Sequence, residues 1–152
     1  MQKKVVGVVG GRECTVEVEQ LAHKLGKELV RVADVLVSGG LGGAMEAATS
    51  GFKSAGGLTI GILPGYNKID ANKHVDIAIP TGLGLARNVL VVKSADVVVA
   101  LPGNAGTLSE IAYCLQFDIP VISLNSWDIP GVIKVNTIEE AIAQVALRLE
   151  KK

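Results

Sequence analysis

Asp96-Val97-Val98-Val99-Ala100-Leu101-Pro102-Gly103-Asn104-Ala105-Gly106-Thr107 is the stretch whose pattern decides the fold. Asp96 to Leu101 is a short unbroken aliphatic run, bounded by a charge and by Pro-Gly, as expected of a strand buried on both faces. A Gly-rich turn follows, then a helix expected over about Thr107 to Phe117. The same strand, turn, helix order recurs on either side. Val5 to Val9 ends in Gly10-Gly11. Behind it Val18, Leu21, Ala22, Leu25, Leu29, Val32 and Ala33 recur at three and four, the face of a helix over about Thr15 to Ala33. Asp34 to Val37 reads as a second strand, leading through Gly39-Gly40-Leu41-Gly42-Gly43 to a small-residue helix over about Ala44 to Ala55. Leu58 to Leu63 is a third strand, and Pro64 to His74 a polar loop with no regular helix. A short strand at Asp76 to Ile79 precedes a helix over about Leu85 to Ser94. Pro120 to Leu124 and Val132 to Val135 complete the strands. In the last helix Thr137 and Glu140 have capping-box spacing, and Ile138, Ala141, Ile142, Val145 and Leu149 form the buried stripe.

Alternating β and α elements with continuous apolar strands imply a mostly parallel sheet covered on both faces, with right-handed crossovers. The expectation is an α/β, doubly wound, Rossmann-like three-layer domain over residues 1–152. That length buries roughly 68–70% of the unfolded surface without staples. Hydrophobic residues make up 49% of the chain and aromatics only 3%, so Val, Ile, Leu and Ala build the core.

Composition excludes several classes. Lys+Arg and Asp+Glu number 15 each. A net charge of zero speaks against nucleic-acid binding through the overall field, and the scarcity of aromatics against base stacking. No apolar run approaches the ~20 residues of a membrane span. The basic start Met1-Gln2-Lys3-Lys4 meets an apolar stretch broken by Gly7, a poor signal peptide. Cys14 and Cys114 have no Cys-x-x-Cys or His partner nearby, so neither a disulfide framework nor a metal site is expected, and the default setting is cytoplasmic.

Ten of the 18 glycines fall between a strand and the next helix: Gly10, Gly11, Gly39, Gly40, Gly42, Gly43, Gly82, Gly84, Gly103 and Gly106. In an open parallel sheet these junctions lie along the carboxyl edge, where ligands bind. Glycine lets backbone N–H groups approach a ligand, and the following helix points its positive end at the same place, a site for phosphate or carboxylate. There is no Gly-Lys-Ser/Thr of a P-loop. The first junction, Gly7-Val8-Val9-Gly10-Gly11-Arg12, lacks dinucleotide-fingerprint spacing, which disfavours an NAD-dependent dehydrogenase.

Pro102-Gly103-Asn104-Ala105-Gly106-Thr107-Leu108-Ser109-Glu110 resembles the Pro-Gly-Gly-x-Gly-Thr-x-x-Glu signature of the "lonely guy" (LOG) family, often labelled lysine decarboxylases. Ser38-Gly39-Gly40-Leu41-Gly42-Gly43-Ala44-Met45-Glu46 looks like that family's other Gly-rich loop, and Leu85-Ala86-Arg87-Asn88 falls where it has its Arg. The resemblance spans nearly the whole chain, and it implies a Rossmann-like dimer that cleaves the N-glycosidic bond of nucleoside 5′-monophosphates. The chain is most similar to a short branch that includes molybdenum cofactor carrier proteins, which bind a phosphorylated pterin. Two departures bear on hydrolysis rather than on phosphate binding. Asn104 replaces the second Gly of the signature, and Asn88 stands where phosphoribohydrolases carry Lys.

The resemblance assigns catalysis to Glu110 and Arg87. It assigns ligand binding to Ser38, Gly39, Gly40, Gly42, Gly43, Met45, Pro102, Gly103, Asn104, Gly106 and Thr107, to which the glycine pattern adds Gly10 and Gly11. A carboxylate at Glu110 would stabilise positive charge on a ribose or activate water, while Arg87 would grip phosphate bidentately or orient Glu110. Thr107-x-x-Glu110 also has the spacing of a capping box, which alone would account for both residues. His23 reads as a surface residue, His74 and Cys114 as structural, and Glu46 as a helix-dipole partner. Nothing supports pyridoxal-phosphate chemistry or a lysine decarboxylase, and no cofactor is required. Three functions follow: a phosphoribohydrolase, a carrier with molybdenum cofactor as bound cargo, or a nucleotide sensor. Each is expected as a homodimer or larger homo-oligomer, with a small-molecule nucleotide or phosphorylated cofactor as partner and without nucleic acid or membrane.

Overall fold

The computed structural model describes residues 2–151. Seven strands run in chain order: β1 (Val5–Val9), β2 (Val35–Ser38), β3 (Leu58–Leu63), β4 (Ile77–Pro80), β5 (Val97–Ala100), β6 (Val121–Leu124) and β7 (Ile133–Val135). They form one sheet in the order β4-β3-β2-β1-β5-β6-β7, and every neighbouring pair is parallel. Five α-helices accompany them: α1 (Val16–Leu29), α2 (Ala44–Ser54), α3 (Asn88–Lys93), α4 (Ala105–Gln116) and α5 (Ile138–Glu150). The architecture is thus the expected Rossmann-like α/β fold.

Strand alternation sorts the aliphatic residues into two cores. Val6, Val8, Leu36, Val97, Val99 and Ile122 face α1, α2 and α5, whose Leu25, Leu29, Phe52, Ile142 and Val145 are buried against them. Val9, Val37, Ile62, Val98, Ala100 and Val121 face α3 and α4, meeting Val91, Val92, Ile111 and Cys114. The α1–α2 pair is unusually close. A Cβ at Gly26 would lie 2.1 Å from the Ala48 carbonyl oxygen, and one at Gly51 would lie 2.0 Å from that of His23. Only glycine admits that backbone approach.

Several boundaries differ from the sequence reading. α1 stops at Leu29 rather than Ala33, because Val30 to Ala33 turn back through N–H bonds to the Glu28 and Leu29 carbonyls while Val32 and Ala33 still pack on the core. The expected helix over Leu85 to Ser94 splits into a 3-10 turn at Gly84–Arg87 and the six-residue α3. The loop after β3 contains a short 3-10 turn at Lys68–Asp70. α4 begins at Ala105, two residues early, so Thr107 is inside the first turn and does not cap it; Asn104 is the N-cap residue. The Thr107–Glu110 capping box is therefore absent. The one at Thr137 exists in shifted form. Thr137 Oγ accepts from the Glu140 N–H (3.1 Å), and the Glu140 carboxylate accepts from the Asn136 N–H (3.1 Å).

The chain leaves β1 toward β2, β3 and β4, then returns to its other side with β5. The carboxyl ends of β1 and β5 thus flank the point where strand order reverses, the place where such sheets open a crevice. No helix among the described residues is long and apolar enough to cross a membrane.

Candidate functional site

A cleft of about 340 Å³ opens at that crevice. The Leu101 N–H donates to the Val9 carbonyl (2.8 Å), and the Gly11 N–H to the Pro102 carbonyl (2.9 Å). These bonds lace the two glycine turns together as its floor. Of the residues singled out from sequence, Gly10, Gly11, Met45, Arg87, Asn104, Gly106, Thr107 and Glu110 line it. Ser38, Gly39, Gly40, Gly42, Gly43, Pro102 and Gly103 do not line it, and Gly43 instead lines a neighbouring cleft. Ser38 is fully buried, and its hydroxyl accepts from the Gly40 N–H (3.1 Å), closing the β2 turn. Gly43 has φ +68°, and a Cβ there would meet the Gly11 and Arg12 carbonyl oxygens at 2.3 Å. It is a steric necessity of the turn.

Capping distinguishes the helices at the cleft from those elsewhere. α1 is capped by Thr15, which accepts from the Val18 N–H (3.2 Å), and α5 by Thr137. At α2 and α4 no side chain caps the start, although Asn104 is of a type that commonly does. In α4 the first helical bond runs from the Leu108 N–H to the Asn104 carbonyl (3.0 Å). The amides of Ala105, Gly106 and Thr107 are thereby left without helical acceptors at the cleft, carrying the positive end of the helix dipole. At Gly106 φ is ordinary and a Cβ would meet nothing within 4 Å. Glycine costs helix stability there and relieves no contact within the chain.

Two buried ionisable groups face the same space. Glu110 is 7% exposed, and among the described residues no hydrogen bond reaches its carboxyl. Desolvation pushes its pKa up to about 8 against the opposing pull of Arg87, a shift that favours the protonated form. Arg87 is 6% exposed. Burial lowers its pKa, Glu110 works against that, and Arg12 adds to it. Its guanidinium donates to the Asn88 side-chain oxygen and to the Gly39 carbonyl (3.4 Å), while Nε has no partner among the described residues. Asn88 in turn donates to Ser109 Oγ (3.2 Å), which donates to the Gly106 carbonyl (2.6 Å). Asn88 therefore braces Arg87 against α4. Burial also raises the Cys114 thiol to about 12, as fits a core position.

Asn88, noted in the sequence as a departure from the family, also lines the cleft, and the site residues expected from sequence did not include Arg12, Glu13, Leu41, Pro64 and Leu85, which complete the lining. Arg12 and Glu13 follow the first glycine pair directly, a position that singles them out. Leu85 lies in the Leu85-Ala86-Arg87-Asn88 segment, two residues before Arg87, whereas Pro64 arrives from the loop after β3 and leaves no local pattern. His23 and His74 border another cleft, of about 520 Å³, lined by residues of α1 and α2, with Glu19, Gln20 and Lys73. Among the described residues no group of three or more His, Cys, Asp or Glu is arranged to hold a metal ion.

A family model described as the SLOG cluster4 family matches residues 3–150. The chain belongs to the SLOG cluster4 family. Among its relatives, an uncharacterized protein of Archaeoglobus fulgidus is 41% identical over 143 residues, covering 93% of this chain and 94% of the other. Cytokinin riboside 5′-monophosphate phosphoribohydrolase of Mycobacterium tuberculosis is 29% identical over 121 residues, 73% of this chain and 64% of the enzyme. Solved structures match more fully. The molybdenum cofactor binding protein from the phototrophic bacterium Rippkaea orientalis has a TM-score of 0.89 and 40% identity, covering 95% of this chain and 96% of its own. The Moco carrier protein from Chlamydomonas reinhardtii has a TM-score of 0.89 and 34% identity, covering 99% and 100%. This SLOG member thus sits on a LOG-like branch that resembles molybdenum cofactor carriers.

Proposed function

We propose that the cleft binds the phosphoryl group of a phosphorylated small molecule, and that the chain acts as a carrier with molybdenum cofactor as its cargo. The observation that carries this reading is the set of donors left open at the cleft, the first amides of α4 and the Arg87 Nε, beside the buried Glu110 carboxyl, which no hydrogen bond reaches among the described residues. A carboxyl whose pKa is raised by burial can donate a hydrogen bond to a phosphate or carbonyl oxygen, and it has the protonation a general acid needs at a leaving base. The uncapped amides of Ala105 to Thr107 and the free Nε of Arg87 supply further donors for an anion. A volume of about 340 Å³ falls at the lower end of the range for small-molecule sites. The donor set fits the phosphate of such a cargo, whose redox chemistry belongs to the enzyme that receives it. The near-complete two-way coverage of the carrier structures points the same way.

The second reading, phosphoribohydrolase activity, is favoured by Thr107 and Glu110 standing where the LOG signature places them and by the mycobacterial relative. Two assays separate these readings. The protein is recovered from cells of its source and any bound compound identified after oxidation to a fluorescent pterin. Base release is measured on a panel of nucleoside 5′-monophosphates with wild type and Glu110→Gln. A co-purified pterin without turnover supports the carrier; turnover lost in Glu110→Gln overturns it in favour of the hydrolase.

A homo-oligomer is part of the proposal. Leu58, Ile77 and Ile79 share the sheet face that α3 and α4 cover elsewhere, yet remain 43%, 45% and 42% exposed. Leu83 and Leu85, 53% and 80% exposed, follow β4 on the adjoining turn. These aliphatic groups expose on the order of 500 Å², a large share of the ~800 Å² each partner buries in a standard interface. A second copy is the occupant that fits.

A further inference from the structure

The loop between β6 and β7 holds the chain's single tryptophan, Trp127, which does not line the cleft. Its backbone is anchored from the sheet, since buried Ser123 of β6 donates its hydroxyl to the Trp127 carbonyl (2.8 Å). Its indole N–H donates to the Gly103 carbonyl (3.0 Å). In a trans peptide, carbonyl and N–H point to opposite sides of one rigid plane. Fixing the Gly103 oxygen on the Trp127 side therefore fixes the Asn104 N–H on the other side. Asn104 lines the cleft, and among the described residues no acceptor meets its N–H. The preceding peptide is held likewise, because the Pro102 carbonyl accepts from the Gly11 N–H (2.9 Å). Two successive carbonyls of the turn are thus tied back, one to β1's turn and one to Trp127.

We propose that Trp127 is a positioning residue for anion binding: its indole N–H locks the Gly103–Asn104 peptide plane so that the Asn104 N–H joins the amides of Ala105, Gly106 and Thr107 as a donor into the cleft. This rests on the binding reading above. The ring's size is incidental, and the donor at Nε1 is what matters. Histidine carries a ring nitrogen, Nε2, the same number of bonds from Cβ, so Trp127→His preserves the donor, whereas Trp127→Phe removes it.

The full chain, ¹⁵N-labelled, is compared as wild type, Trp127→Phe and Trp127→His, without ligand and titrated with AMP and with inorganic phosphate. Without ligand, the amides of Asn104 and Ala105 become mobile on the picosecond–nanosecond scale in Trp127→Phe and regain order in Trp127→His. In calorimetry, Trp127→Phe binds AMP about tenfold more weakly, the effect of one lost hydrogen bond, and Trp127→His recovers most of that. Unchanged order and affinity in Trp127→Phe would overturn the proposal, as would equal losses in both variants, which would assign the effect to ring packing. If wild type bound neither probe while Trp127→Phe alone lost order, the clamp would stand and the binding reading would fall.

Discussion

Replacing Glu110 by Gln tests the electrostatics of the cleft without any ligand. Burial pushes the pKa of the native carboxyl up to about 8, against 4.5 for an ordinary glutamate. Between those values the unfolded chain has shed a proton that the native chain retains. Stability therefore falls as pH rises through this window, and is flat below 4.5 and above about 8. At ~1.4 kcal/mol per pH unit the whole window corresponds to a ceiling of about 5 kcal/mol. Glutamine has nearly the same shape and does not titrate. Urea unfolding of both proteins from pH 4.5 to 8.5 gives a difference curve in which the groups that Glu110 does not act on, Asp76 included, cancel. The expected curve climbs by several kcal/mol in favour of Glu110→Gln across the window. The unpaired amide adds a constant offset without altering the slope. A flat curve, or one climbing toward acid, would refute the reasoning: Glu110 would then be ionised in the native state and held by Arg87 as a working ion pair.

Gly106→Ala should raise stability by up to about 1 kcal/mol, since glycine costs that much in a helix and the added methyl meets nothing; AMP affinity should drop, and calorimetry beside a thermal melt reads both. Gly43→Ala should destabilise severely, its φ of +68° and 2.3 Å contacts giving no room, and little folded protein should be recovered. Thr137→Ala should lose ~1 kcal/mol with its cap, while Asn104→Ala, which removes no capping bond, should stay within about 0.5 kcal/mol by urea titration. Ile79→Glu should turn a sedimenting oligomer into a folded monomer, and an unchanged sedimentation coefficient would remove that face from the interface.

The fold was legible because each strand is a compact aliphatic run between turn residues. β3 matches its expected bounds at both ends. α1 was overextended because Val32 and Ala33 stay buried after the helix ends, so the apolar stripe outlasts the hydrogen-bond ladder. At the site, glycine density marked the carboxyl edge but not the role of each glycine. Gly43 answers to backbone sterics, and Gly106 to nothing inside the chain. Thr107 and Glu110 looked like a cap because spacing carries no information on where a helix begins; the start at Ala105 moved both inward, toward burial. The brace through Asn88 and the clamp from Trp127 join residues 21 and 24 positions apart, respectively, from their partners, contacts that only the folded sheet creates.

The reversal of strand order at β1 gives the molecule two wings, β2 to β4 on one side and β5 to β7 on the other. A guest seated between them touches both, so neither wing can melt while it stays. Occupancy then appears as heat resistance of the entire chain, worth about 2.7 kcal/mol at a hundredfold excess over the dissociation constant. Screening a compound collection by melting temperature would test for such a guest without any assumption about its chemistry.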